Sequence, residues 1–422
     1  MRRRQSGEPI VYSAQRKLRL AYFVTHPIQY QAPLLRRIAQ EPDIDLKVFF
    51  SSDISVRGYV DQGFGVHVQW DTPLLEGYNY SFLPVLRAAG RGGILSLAGS
   101  VNYGIGRKLR TDKFDAVWVH GYNYLTNLEA IRVANSMRIP VLLRAESTLH
   151  DRSRSRMKLA IKKLFFKILK PRISAVLSIG DENSEYWKHN FGNEFPQFPF
   201  YYTVHNEFFQ RACAAASSTR EELRAALELS PDRPVILFAA KLVARKRCGD
   251  LLDAYLKLSQ VNRPEPMPYL LIIGDGEERA QLKSRAKEAR PGDVCFLGFR
   301  NQSELPRFYD LCDVFVLASV DEPWGLSINE VMNAGRAVIV TTEVGCQKNL
   351  VQHGVNGCVI SAGDIDALAE SLRTVLATRE TMRAMGAESL RIVNQYNFEQ
   401  NVAGLRQALN AVTPGFPLSP NA

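Results

Sequence analysis

Cys312-Asp-Val-Phe-Val-Leu-Ala-Ser319 is followed closely by Glu322-Pro-Trp-Gly-Leu-Ser-Ile-Asn-Glu330. The first run, rich in β-branched and aromatic residues, predicts a buried parallel strand. Residues 329–334 suit a helix that Gly335 ends. Glu322 then falls in the loop at a strand's carboxyl end and Glu330 inside the next helix. Open α/β sheets hold their ligands in such loops. Gly325-Leu326-Ser327 can turn backbone N–H groups toward an anion at the helix start. Two glutamates alone would more often mark a solvated acidic loop. The strand, the glycine and the helix start around them argue for a ligand site.

Working outward, strands alternate with helical stretches on both sides. Residues 17–25, 46–51, 115–120, 141–144 and 175–179 read as strands, with helices over 32–40 and 127–137. A second series opens at Val235-Ile-Leu-Phe-Ala and runs to Cys358-Val-Ile. This alternation predicts an α/β fold with parallel sheets covered by helices on both faces. A chain of 422 residues is comfortable for two such domains. Phe195-Pro-Gln-Phe-Pro-Phe-Tyr-Tyr approaches a hinge, and a polar helix is expected over 217–229. The reading is two doubly wound, Rossmann-like domains facing across a cleft. They span 17–205 and 206–395, with a flexible basic tail at 1–16 and a second tail at 413–422.

Hydrophobic residues at 46% and charged ones at 23% fit a globular chain. No apolar run reaches the roughly 18 residues of a membrane span, and Met1–Pro9 lacks the apolar core of a signal peptide. The cysteines at 213, 248, 295, 312, 346 and 358 form no Cys-x-x-Cys, which suggests buried thiols in a reducing cytosol and no zinc site. The net charge of +10 is uneven: residues 1–205 carry 29 Lys/Arg against 17 Asp/Glu, and residues 206–422 carry 24 against 26. A negatively charged partner is expected for the first half. No nucleic-acid motif is present, so an anionic inner-membrane face or a phosphorylated lipid fits better than nucleic acid. Residues 152–172 hold nine cations and no acid, with Met157, Ile161, Leu164, Phe165 and Ile168 on one helical face. Such a helix can lie on an anionic membrane, or it can be a core helix with a wet basic face.

Several ordered motifs together resemble the family 4 retaining glycosyltransferases, which have the GT-B fold. Glu322 and Glu330 match that family's Glu-x7-Glu signature. Phe238-Ala-Ala-Lys-Leu-Val-Ala-Arg-Lys246 is similar to its Gly-Arg-Leu-x3-Lys stretch, with Ala240 for Gly and Lys241 for Arg. Leu270-Leu-Ile-Ile-Gly-Asp-Gly276, Val294-Cys-Phe-Leu-Gly298 and Gly354-Val-Asn-Gly357 follow in the family's order. The resemblance is close over 233–395 and looser before it.

The resemblance implies transfer from a UDP- or GDP-sugar to a hydroxyl acceptor, here a lipid-linked glycan or polysaccharide precursor, without cofactor or bound metal. Lys241 and Lys246 would offset the diphosphate, and Glu322 would hold donor-sugar hydroxyls near the reacting carbon. Glu330 would hold the ribose, with backbone help from Gly325 and Leu326 and with Gly274 adjoining the nucleotide. His120, at a strand's carboxyl end, would line the acceptor side. A helix over 396–412 would cross back onto the first domain. The stretch Thr25-His-Pro-Ile-Gln-Tyr-Gln31 departs from the family's Gly-rich loop. Side chains of His26, Gln29 or Gln31 would then shape the acceptor pocket. Arg144 and Glu146 form another strand-end pair, open between a cleft role and a salt bridge. Rival readings are a nucleotide-sugar epimerase of the same fold and a non-catalytic nucleotide-sugar-binding protein at the membrane.

Overall fold

The computed structural model describes residues 16–61, 63–87, 100–149, 156–260 and 265–415. Residues 1–15 of the tail expected at 1–16, residues 416–422 of that expected at 413–422, and the start of the basic helix at 152–155 lie outside them.

The first half builds β1 (Leu18–Val24), α1 (Ala32–Ala39), β2 (Ile44–Phe50), β3 (Tyr59–Asp61), β4 (Val66–Val68) and β5 (Asn79–Phe82). It continues with β6 (Ala116–His120), α2 (Leu125–Ser136), β7 (Val141–Arg144), α3 (Arg156–Leu169), β8 (Ala175–Ser178) and β9 (Gln197–Pro199). The second half contributes β10 (Val235–Ala239), β11 (Tyr269–Ile273), β12 (Val294–Gly298), β13 (Val314–Leu317), α4 (Leu326–Met332), β14 (Ala337–Thr341) and β15 (Gly357–Ile360). The helix α5 (Phe398–Val412) follows.

Seven strands form one sheet, ordered β9-β8-β7-β6-β1-β2-β5, and six form the other, ordered β12-β11-β10-β13-β14-β15. Every pairing in both is parallel. Their apolar runs explain why: Leu18 to Val24 and Val235 to Phe238 are almost wholly buried, as strands covered on both faces must be. Strand order reverses between β1 and β6 in one sheet and between β10 and β13 in the other. These reversals are the crevices where doubly wound sheets bind ligands, and the two face each other.

Two local readings are corrected, and a third, open between two alternatives, is narrowed. The helix expected over 329–334 starts at Leu326, because Gly325 at φ +95° lets the chain turn straight from the loop into the helix. The single helix expected over 217–229 is instead Asn206–Ala216, a 3-10 turn and Arg220–Ala226. The apolar face of α3 is not a core face: Met157, Ile161, Leu164 and Ile168 are exposed, and Phe166 and Leu169 make the buried contacts.

The chain crosses between the sheets twice, once after β9 and again before α5. The second crossing lays α5 against β8 and β9, with Leu405 and Leu409 in the first domain's core. A Cβ at Gly404 would lie 1.8 Å from the Pro199 carbonyl oxygen, so only glycine permits this approach. Arg406 bonds both Glu41 and Asp43, closing the contact with buried charge.

Candidate active site

A cleft of about 490 Å³ lies between the two switch points. The loop after β10 supplies Lys241, Arg245 and Lys246 to its wall, and the loop after β13 supplies Glu322. Lys246 and Arg245 both bond Oε2 of Glu322. Burial pushes the Lys246 ammonium below its usual range, outweighing the Glu322 carboxylate, while Arg245 and Lys241 add a smaller repulsion. Three crowded cations face two carboxylates, Glu322 and, from the first domain, Asp61, an arrangement whose excess positive charge suits an anion.

Gly325, Leu326 and Ser327 line the same wall, at the start of α4. Glu330, one helical turn further, accepts a hydrogen bond of 2.6 Å from the Tyr309 hydroxyl. Burial pushes the Glu330 carboxyl up to about 7, against the single hydrogen bond that favours its anion. Gly274 is not among the lining residues. Its backbone abuts Ala240, whose carbonyl oxygen a Cβ there would meet at 1.9 Å, so glycine is what lets β11 approach the loop after β10 so closely.

The first domain reaches over this wall through the β3–β4 hairpin. Asp61 holds Lys241 Nζ at 2.7 and 2.9 Å, and the same ammonium sits 4.8 Å from the Phe64 ring centre. Phe64 meets Phe299 edge to face at 4.9 Å, and Asn301 donates to the Gln69 carbonyl at 2.7 Å.

A second cavity, of about 730 Å³, lies within the first domain's side. His26, His120, Tyr122 and Tyr124 line it, as do Lys158, Ile161, Lys162 and Phe165 of α3. It shares Tyr30, Glu146 and Pro323 with the cleft, so the two spaces meet at those residues. His120 is buried, and both ring nitrogens face protein partners: Nδ1 lies 2.9 Å from Tyr22 Oη and 3.2 Å from Gln31 Nε2, and Nε2 lies 3.3 Å from Glu146 Oε1. Gln31 Nε2 donates to Nδ1 and its Oε1 accepts from Tyr22, so the ring proton is assigned to Nε2, which donates to Glu146. Burial lowers the His120 pKa, outweighing its carboxylate partner, and pushes His26 down to about 4. Burial raises the Glu146 carboxyl, but His120, Arg144 and Tyr30 outweigh it and hold the group below its usual range.

Two acceptor-side expectations are relocated. Arg144 lines neither cavity; it is buried behind the wall with its guanidinium over the Tyr202 and Phe200 rings, 4.5 and 5.0 Å from their centres. Gln29 lines the inter-domain cleft and not the His26 cavity, because the turn that leads into α1 begins at Gln29. Sequence reasoning assigned nothing to Tyr30, Asp61 or Tyr309. Tyr30 stood within the quoted loop after β1, while the short hairpin carrying Asp61 offers no motif.

Residues 219–391 match the family model described as glycosyl transferases group 1. Over 180 residues the chain is 32% identical to the lipopolysaccharide core biosynthesis glycosyltransferase LpsE of Rhizobium meliloti, covering 42% of this chain and 49% of that protein. It is 31% identical over 178 residues to a GDP-mannose-dependent alpha-(1-6)-phosphatidylinositol monomannoside mannosyltransferase of Mycobacterium tuberculosis, covering 40% and 45%. The chain thus spans about half the length of these curated relatives. Among solved structures, Anabaena HepE in complex with UDP and glucose superposes with a TM-score of 0.69 at 18% identity, covering 93% of this chain and all of that one. Sucrose-phosphate synthase from Thermosynechococcus elongatus does so with 0.69 at 16%, covering 94% and 100%. The fold is GT-B.

Proposed function

We propose that this protein is a retaining glycosyltransferase that moves a sugar from a UDP- or GDP-sugar to a hydroxyl of a lipid-linked glycan or polysaccharide precursor. The observation that carries this reading is the opposition of two switch points. One is lined by Lys241, Arg245, Lys246 and Glu322, the other opens into a cavity of its own, and the two meet at Glu146. In this reading the lysines take the diphosphate, Glu322 the donor-sugar hydroxyls and Glu330 the ribose. Charge developing on the leaving diphosphate is met by cations already in place, which costs no reorganisation. Retention follows a same-face route: the acceptor oxygen bonds to the anomeric carbon as the carbon–phosphate oxygen bond breaks, and the acceptor proton passes to the leaving phosphate. His26 and His120 line the acceptor side, with Gln29 on the cleft wall and Arg144 behind it. The activities named for the two relatives, lipopolysaccharide core and phosphatidylinositol mannoside assembly, support an acceptor carried on a lipid.

The exposed stripe of α3, with Lys158, Lys163 and Lys167 exposed beside it, supports reversible binding to an anionic inner-membrane face. Among the described residues no helix is long and apolar enough to cross a membrane.

The test is a panel of UDP- and GDP-sugars. A ligand at 100 times its Kd adds about 2.7 kcal/mol of stability. The matching donor should stabilise the protein and release its nucleoside diphosphate when a lipid extract is supplied. Stabilisation without release favours the non-catalytic reading, and no stabilisation by any donor rejects the proposal.

A further inference from the structure

Glu146 occupies the one wall segment, with Tyr30 and Pro323, that belongs to both cavities. Resting on the glycosyltransferase reading, we infer that Glu146 positions the acceptor by accepting from a hydroxyl beside the reacting one, which keeps its own proton for the leaving phosphate, and that the acceptor is an amphiphile lying with that hydroxyl at Glu146 and its apolar part leaving along α3.

Three observations converge. The first is hydrogen bonding. His120 Nε2 and the Tyr30 hydroxyl both address Oε1 of Glu146, each at 3.3 Å, and Tyr30 is itself braced by Tyr202 at 2.9 Å. The carboxylate is thus aimed by two donors from behind, while its side chain keeps 40% exposure toward the cavities. An ionised carboxylate only accepts hydrogen bonds, so the group it welcomes is a hydroxyl and the group it repels is a phosphate.

The second is the distribution of charge. Any anionic group on the acceptor is kept away from Glu146, and the cations that line this cavity, Lys158 and Lys162, come from α3. The cavity therefore has a carboxylate where it meets the cleft and ammoniums on α3.

The third is continuity of apolar surface. Ile161 belongs both to the cavity lining and to the exposed stripe, where it keeps 61% exposure, and Phe165 lines the cavity beside it. Met157 and Leu164 extend the stripe along the same helix at 70% and 60% exposure. A hydrocarbon tail leaving past Ile161 would cover this surface. A small free sugar would leave it in water.

The experiment uses full-length protein, the donor identified above and two probe acceptors, an n-octyl glycoside and the matching methyl glycoside. The octyl probe should show at least a tenfold lower KM than the methyl probe. Ile161→Gln, at an exposed position, should raise the octyl KM toward the methyl value. Glu146→Gln should lower kcat/KM for the octyl probe at least tenfold while UDP and GDP dissociation constants stay within about twofold, and Glu146→Asp should recover part of the loss. Equal use of both probes, or an octyl KM unmoved by Ile161→Gln, overturns the amphiphile. Unchanged transfer by Glu146→Gln, or diphosphate affinity lost together with transfer, overturns the role of Glu146. A wild type that releases no diphosphate from any donor fails the reading beneath both.

Discussion

Glu330 offers a pH-dependent stability that can be worked out from its surroundings. Burial raises its carboxyl to about 7 from an ordinary 4.5, with only the Tyr309 hydroxyl favouring the anion. The folded pKa lies above the unfolded one, so the sign is opposite to that of a salt-bridged carboxylate. Between about pH 4.5 and 7 the folded state holds more protons than the unfolded chain, and stability falls as pH rises through that window. At about 1.36 kcal/mol per pKa unit, the loss between pH 5 and 8 is about 2.5 kcal/mol. Glu330→Gln keeps a neutral side chain of the same size and removes the titration. Urea unfolding of both proteins at pH 5, 6, 7 and 8, read as the difference between them, cancels the groups they share. The difference should move in favour of the glutamine variant by about 2 to 3 kcal/mol across that range. A flat difference would refute the reasoning, because the carboxylate would then be as well solvated in the folded protein as outside it. If Glu330 accepts ribose hydroxyls, saturating UDP or GDP favours its anion and should shrink the slope.

Asp61→Asn removes the carboxylate on Lys241, and since that pair is partly exposed its loss should tighten UDP or GDP binding about fivefold by calorimetry; weaker binding would mean the hairpin holds the site open. Lys246→Ala should cost at least about tenfold in diphosphate affinity, one lost charge contact of about 1.4 kcal/mol, and leave uridine or guanosine binding unchanged. Gly404→Ala forces a Cβ against the Pro199 carbonyl oxygen and should destabilise the fold by about 1 to 3 kcal/mol in denaturant unfolding. Lys163→Gln with Lys167→Gln should weaken binding to anionic vesicles about thirtyfold, at about 1 kcal/mol per cation, with no change toward neutral vesicles in co-sedimentation.

The architecture was legible because its signal is repeated and local: short apolar runs such as Val235 to Phe238, spaced by helical stretches, read as buried parallel strands, and the loops after them carry the charged motifs. The site was legible where one loop supplies both residues, as with Lys241 and Lys246. It was not legible where the fold makes the neighbours. Asp61 meets Lys241 across 180 positions, and Glu146 gains its meaning from Tyr30, in the turn before α1, and His120, at the end of another strand. The start of α4 was misplaced because helix periodicity does not register a turn made by a glycine at positive φ. The stripe of α3 has the spacing of a core face, and spacing alone cannot say which medium an apolar face meets.

The twofold crossing between the sheets decides how the molecule can move. The two connecting segments run side by side and are tied together: Asn206 donates to the Val393 and Tyr396 carbonyls, each at 3.1 Å, and Asn401 donates to the Tyr201 carbonyl at 2.9 Å. A body hung on one tether can swivel freely, whereas two tethers define an axle as the paired pins of a door do. Opening about that axle is permitted and twisting across it is resisted. In the proposed function, one angular coordinate would then govern entry to the whole region where Glu146 and Glu322 meet, and stiffening that axle would slow the exchange of both substrates.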